Sequence, residues 1–180
     1  MSAPSANCHW RFSEHDEPRQ SILRMDIEQP PHFRRARDEG SGTLRWEAVA
    51  HQPYKQDGSA PFKDISRQVL FHEDALNCEL RYFEVNAGGY STLERHQHAH
   101  AVMILRGQGT CLVGDEVRSV QPFDLVSIPA WQWHQFRAAA GEPLGFLCMV
   151  NIVRDRPQLP DGEDLRRLKT NSVIADFLER

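Results

Sequence analysis

GGYSTLERHQHAHAVMILRG, residues 88–107, is the most informative stretch of the chain. Glycines bracket it, the apolar run Ala101-Val102-Met103-Ile104-Leu105 fills its second half, and Glu94, His96, His98 and His100 crowd its centre. The chain holds nine histidines in 180 residues, and three of them fall within these five positions. In an extended strand alternate residues share a face, so Glu94, His96, His98 and His100 can all point into one interior. Burying four such groups without partners is costly. A divalent cation resolves the cost, because neutral imidazoles and a carboxylate become its ligands. Each imidazole then offers its other ring nitrogen to a neighbouring acceptor. The competing reading is a solvent-facing strip of histidines.

Outward from this stretch, residues 65–153 consist of short strand-like runs. They are Gln68 to Phe71, Leu80 to Ala87, His96 to Leu105, Thr110 to Val113, Glu116 to Val120, Asp124 to Ile128, His134 to Ala138 and Leu144 to Val150. Val, Ile, Leu, Phe and Tyr dominate them, as expected of strands. Gly88-Gly89, Gly107-Gln108-Gly109, Gly114-Asp115, Gln121-Pro122 and Gly141-Glu142-Pro143 supply the turns, Gly114-Asp115 fitting a two-residue hairpin. No helical pattern alternates with the strands, so a βαβ fold is disfavoured and an all-β sandwich or barrel is expected.

The flanks read differently. Residues 1–43 form an expected irregular arm, punctuated by Pro4, Pro18, Pro30 and Pro31, carrying the basic run His32 to Arg37 and closing on Gly40-Ser41-Gly42. Residues 44–155 are the expected barrel domain, with an edge strand over Leu44 to Ala50. Residues 156–180 are an expected helical tail, with Asp161 as its cap and Leu165, Leu168, Val173, Ile174, Phe177 and Leu178 as its apolar stripe.

Composition narrows the function classes. Hydrophobic residues make up 40% and charged residues 26%, enough for a packed core. The net charge of −4 argues against a dedicated nucleic-acid or anionic-membrane binder. No apolar run approaches a bilayer span, and the first thirty residues contain no apolar segment suited to export. Cys8, Cys78, Cys111 and Cys148 stand more than thirty residues apart with no CxxC pair. Reduced thiols in a cytoplasmic protein are therefore expected.

Residues 65–153 resemble the cupin superfamily of small conserved β-barrels. Its first motif, G(X)5HXH(X)3-4E(X)6G, is matched in spacing by Gly88, Glu94, His96, His100 and Gly107. Glu94 stands where the family has its first histidine and His100 where it has glutamate, so the ligand types look exchanged. A rival register takes His96 and His98 as the HXH but leaves Met103 at the glutamate position. In the preferred register His98 falls in the turn between two strands. The second motif, G(X)5PXG(X)2H(X)3N, spans residues 123–138 and keeps Pro129 and His134, while Phe123, Trp131 and Ala138 replace its glycines and asparagine.

The resemblance implies a single cupin barrel (a double-stranded β-helix or jelly roll) and a metal centre drawn from Glu94, His96, His98, His100 and His134. It implies one divalent transition metal ion per chain, with iron, manganese, nickel, zinc and copper not distinguished. If Glu94 is not a ligand, it is the natural catalytic base beside a metal-bound substrate. Strand parity assigns Val102, Ile104, Gln132 and Phe136 to the pocket wall, with Tyr82 near the barrel mouth and Arg81 more at home on the surface. The expected function is a metal-dependent enzyme on a small molecule, first a dioxygenase-type oxidoreductase. The alternatives are a lyase or isomerase using Glu94 and a non-catalytic binding barrel. A homodimer is expected, because exposed sheet edges need cover.

Overall fold

The computed structural model describes residues 32–38, 43–56 and 58–179. Expectations for residues 1–31 and 39–42 lie outside them. In chain order the strands are β1 (Ala36–Asp38), β2 (Leu44–Trp46), β3 (Gln52–Pro53), β4 (Lys63–Glu73), β5 (Cys78–Tyr90), β6 (His100–Arg106), β7 (Gly109–Val113), β8 (Glu116–Val120), β9 (Leu125–Ile128), β10 (His134–Ala138) and β11 (Leu144–Asn151). Two helices follow, α1 (Gly162–Leu168) and α2 (Ser172–Glu179). Strands β3 to β11 form one curled antiparallel sheet in the order β8-β7-β10-β5-β11-β6-β9, with β4 alongside β5 and β3 alongside β4. The expected all-β barrel fold with a short helical tail is present.

Long strand β5 organises the sheet, pairing with β4, β11 and β10. Register shifts between Lys63 and Ile65 and between Val69 and Phe71 mark where β4 bends, as bulges do. Phe83, Val102, Ile104, Phe136 and Phe146 from four strands meet in the main core. The β7–β8 hairpin turns at Gly114 with φ +64, the conformation a two-residue turn demands.

Two sequence expectations change. His96 does not begin a strand: regular pairing starts only at His100, and the chain bends at Gln97 and His98. Ala36–Asp38, within the segment read as irregular, pairs with Leu44–Trp46. The β2 strand then binds the sheet through side chains. Trp46 donates its backbone N–H to Gln68 Oε1 at 3.0 Å, Gln68 Nε2 donates to Leu44 O at 2.9 Å, and Leu44 donates its N–H to Glu84 Oε2 at 3.1 Å. Buried Gln68 and Glu84 thus satisfy backbone groups that would otherwise lie unpaired.

The tail is anchored behind the strand that carries His134. Asp161 caps α1, accepting from Glu163 N at 2.9 Å and Asp164 N at 2.8 Å in a reciprocal capping box. Leu168, Ile174 and Phe177 pack with Leu93, Leu112 and Trp133 in a second core. Burying one such side chain is worth roughly 1.5–3 kcal/mol, which holds the helices against Leu112 of β7 and Trp133 just before β10. Among the described residues no helix is long and apolar enough to cross a membrane.

Candidate metal centre

The loop between β5 and β6 is carried to the start of β10 by a backbone bridge. Glu94 N donates to His134 O at 3.2 Å and His134 N donates to Glu94 O at 3.0 Å. Trp131 N donates to His96 O at 2.7 Å just before β10 begins. These bonds bring His96 from the loop, His100 from β6 and His134 from β10 together, with one ligating atom of each within 4.8 Å of the others. The His96 ring stacks on His100 at 4.5 Å between centroids, and His134 meets His96 edge-on at 4.8 Å.

In each imidazole Nδ1 is engaged. His96 Nδ1 lies 2.7 Å from His98 O, His134 Nδ1 lies 3.0 Å from Gln132 O, and His100 Nδ1 lies 3.4 Å from Cys148 Sγ. Both carbonyls require an N–H at Nδ1, which leaves Nε2 of His96 and His134 as lone-pair acceptors. The Nε2 atoms of His96 and His100 are buried without a hydrogen-bond partner. Burial, reinforced by the neighbouring imidazoles, lowers the pKa of His96 to about 4, of His100 to about 2 and of His134 to about 4. Three neutral rings with orphaned or inward lone pairs are the donor set a divalent transition metal takes. The residues fit such an ion.

Glu94 and His98 lie outside this group of three. The Glu94 carboxylate is ion-paired with Lys55 on the cavity wall. His98 stacks on His96 at 3.7 Å and its Nδ1 lies 2.6 Å from Asp155 Oδ1. Asp155 also accepts from Gln97 N at 2.8 Å and His98 N at 3.3 Å. These bonds, that from Gln97 foremost, hold its carboxyl well below the usual carboxylate range. His98 thereby positions its own carbonyl to accept from His96 Nδ1. The sharing of one strand face by four alternating groups does not occur, because the bend after Arg95 replaces alternation with a stack.

The histidines open into a cavity of about 160 Å³. Val102 and Phe136 are on its lining. Three pocket assignments are corrected. Ile104 is buried in the core outside the cavity lining. Tyr82 occupies the opposite face of β5, where its hydroxyl donates to Glu84. Gln132 is exposed, because the left-handed Trp131 (φ 65) breaks the alternation extrapolated back from His134. Arg81, expected at the surface, is buried and lines the cavity with Tyr54, Lys55, Arg67, Phe83 and Arg154. Alternation of Glu79, Arg81 and Phe83 along β5 is the signal that marks this wall.

Comparison with known proteins agrees with this geometry. A family model described as the cupin domain matches residues 81–150. A Rhodospirillum rubrum protein named 1-methylthio-D-xylulose 5-phosphate methylsulfurylase is 59% identical over 135 residues, spanning 75% of this chain and 86% of the relative. A crystal structure of a cupin-2 domain from Rhodospirillum rubrum superposes with a TM-score of 0.71 at 58% identity, over 75% of this chain and 90% of that one. A cupin 2 conserved barrel protein from Rhodopseudomonas palustris gives 0.73 at 57% identity, over 81% and 97%. With its sheet, its histidine group and these relatives in agreement, the chain belongs to the cupin family.

Proposed function

We propose that this cupin is a metal-dependent enzyme acting on a small phosphorylated methylthio-ketose, from which it removes the methylthio group. The observation that carries the reading is the convergence of three neutral imidazoles beside the Glu94–Lys55 pair in one cavity. The name of the Rhodospirillum rubrum relative supports the reaction class, methylthio transfer from a pentulose 5-phosphate. Phe83, Phe136 and Phe146 wall the cavity with apolar surface, which limits water and strengthens electrostatic effects inside.

The chemistry suits such a site. In a 1-methylthio-2-ketose the breaking C–S bond lies next to a carbonyl. When a thiol acceptor takes the methylthio group as a mixed disulfide, the electron pair left on C1 is shared with the carbonyl oxygen. A proton then returns to C1, giving the 1-deoxy ketose phosphate. His96, His100 and His134 would hold a divalent ion, which when bound would supply Lewis acidity toward a carbonyl oxygen. Glu94 is the proton carrier, and Lys55 keeps its carboxylate oriented. No oxygen enters this balance, which sets the reading apart from the dioxygenase expectation.

The test is anaerobic incubation of the metal-loaded protein with 1-methylthio-D-xylulose 5-phosphate and a small thiol, followed by mass spectrometry. Formation of the deoxy ketose phosphate and the methyl mixed disulfide is expected. No consumption with any divalent metal, or turnover that requires oxygen, contradicts it. The outer row of Met103, Leu125 and Met149, exposed at 41%, 64% and 51%, supports a homodimer through this face. Light scattering reading a monomer at micromolar concentration defeats the dimer.

A further inference from the structure

One wall of the cavity carries more positive charge than its own carboxylates balance. Arg67 from β4, Arg81 from β5 and Arg154 after β11 all line it, and Glu79 is the acid placed among them. Arg154 Nη1 donates to Glu79 Oε1 and to Asn151 O, both at 3.0 Å. Arg81 Nε stands 3.5 Å from the same Glu79 oxygen without making a hydrogen bond, and its Nη2 lies 3.6 Å from Cys148 Sγ. Arg67 Nη2 donates to the neutral Gln52 Oε1 at 3.0 Å. The Nε atoms of Arg67 and Arg81 are both buried with no hydrogen-bond partner.

Buried guanidinium donors left unmatched are expensive, and three cations around one carboxylate repel each other. Burial and the charge of Arg81 lower the pKa of Arg67. At Glu79 burial pushes the carboxyl up, and Arg154 and Arg81 outweigh that to hold it below its ordinary range. Three arginines against Glu79 leave about two positive charges here, the charge of a phosphate monoester dianion, while Asp155 and Glu94 on the same lining face His98 and Lys55; the guanidinium forks match phosphate oxygens.

We propose that Arg67, Arg81 and Arg154 form the subsite for the phosphate group of the substrate. This deepens the phosphorylated-ketose reading and rests on it for the substrate attached to that phosphate. The subsite adjoins the histidines without merging with them. Cys148 Sγ contacts Arg81 Nη2 on one side and lies 3.4 Å from His100 Nδ1 on the other. A substrate lying across Cys148 therefore places its phosphate at the arginines and its far end over the imidazoles and Glu94. The arginines bind and orient; they are not asked to transfer protons.

The probe is inorganic phosphate, titrated by calorimetry into the full-length metal-loaded protein and into Arg67→Met, Arg81→Met and His134→Ala. Saturable binding is expected in the wild type and in His134→Ala, and each arginine substitution is expected to weaken it at least tenfold. Should Arg81→Met fail to fold, Arg81→Lys keeps the charge and stem while losing the fork, and is expected to weaken binding severalfold. Unchanged phosphate affinity in the arginine variants overturns the subsite. So does loss of binding in a folded His134→Ala, which would put the phosphate on the metal. If phosphate binding behaves as expected while the methylthio-ketose phosphate is not turned over, the subsite stands and the proposed activity falls. If that substrate is turned over while the arginine variants keep their KM and phosphate affinity, the activity stands and the subsite falls.

Discussion

His134 and Glu94 exchange two backbone hydrogen bonds, 3.0 and 3.2 Å long, across the gap between β10 and the loop before β6. The bridge ties a candidate metal ligand to a candidate proton carrier through the main chain, so side-chain substitution at either leaves the other in place. Glu94→Gln is therefore expected to keep full metal content while lowering kcat on the order of 100-fold or more, the range for a lost acid–base group. Lys55→Met is expected to have a smaller effect in the same direction. Steady-state kinetics with elemental analysis of the same samples checks both.

His96→Ala and His134→Ala each remove one of three converging nitrogens. Metal content well below one ion per chain is expected for each, with turnover reduced at least 100-fold. Asp155→Asn acts at one remove, loosening the clamp on Gln97 and His98. A drop in metal affinity on the order of 10- to 100-fold is expected, as for outer partners of metal-binding histidines. Competition with a chelator measures it.

Phe123 and Trp131 hold left-handed backbone at φ 74 and 65, at the two positions where the cupin motif has glycine. Each stores strain on the order of 1 kcal/mol. Phe123 is 80% exposed, so Phe123→Gly sacrifices little packing and is expected to stabilise the protein by about 0.5–1 kcal/mol. Gly107 is the opposite case. Its φ is +70 and a Cβ there would lie 1.7 Å from Pro143 O, so Gly107→Ala is expected to cost about 3 kcal/mol or more. Urea unfolding of the two variants gives the signs directly.

The sequence made much of this legible because the glycine spacing reports backbone conformation. Gly88 and Gly107 take φ +69 and +70, and the intervals between them fix where the histidines fall. Strands β8 and β10 run over the residues read for them, since clear turn signals bound both. Side-chain direction was less legible. Tyr82 and Arg81 are neighbours, and the face each occupies depends on the β4–β5 register, which bulges near Lys63 and Val69 reset. The left-handed Trp131 likewise cut Gln132 off from the parity of His134. The arginine wall arises from three separated segments, a juxtaposition that no local pattern encodes.

Acid should weaken the metal-free protein. The native pKa values of His96, His100 and His134, about 4, 2 and 4, lie below the free value of 6.5. As pH falls below 6.5 the unfolded chain takes up protons that the folded chain refuses, so stability declines toward pH 4 and is fully present above 6.5. A lower urea midpoint for the metal-free protein at about pH 5 than at about pH 7.5 is expected. His96→Gln should flatten the difference.

The proposal that His96, His100 and His134 share one ion through Nε2 underlies every role assigned to the site. Anomalous diffraction from a metal-loaded crystal, recorded at the absorption edge of that metal, tests it most directly. One strong peak is expected about 2.0–2.2 Å from all three Nε2 atoms, the usual metal–imidazole distance. A peak bound elsewhere, or rings that turn away from one another with no peak between them, would contradict it.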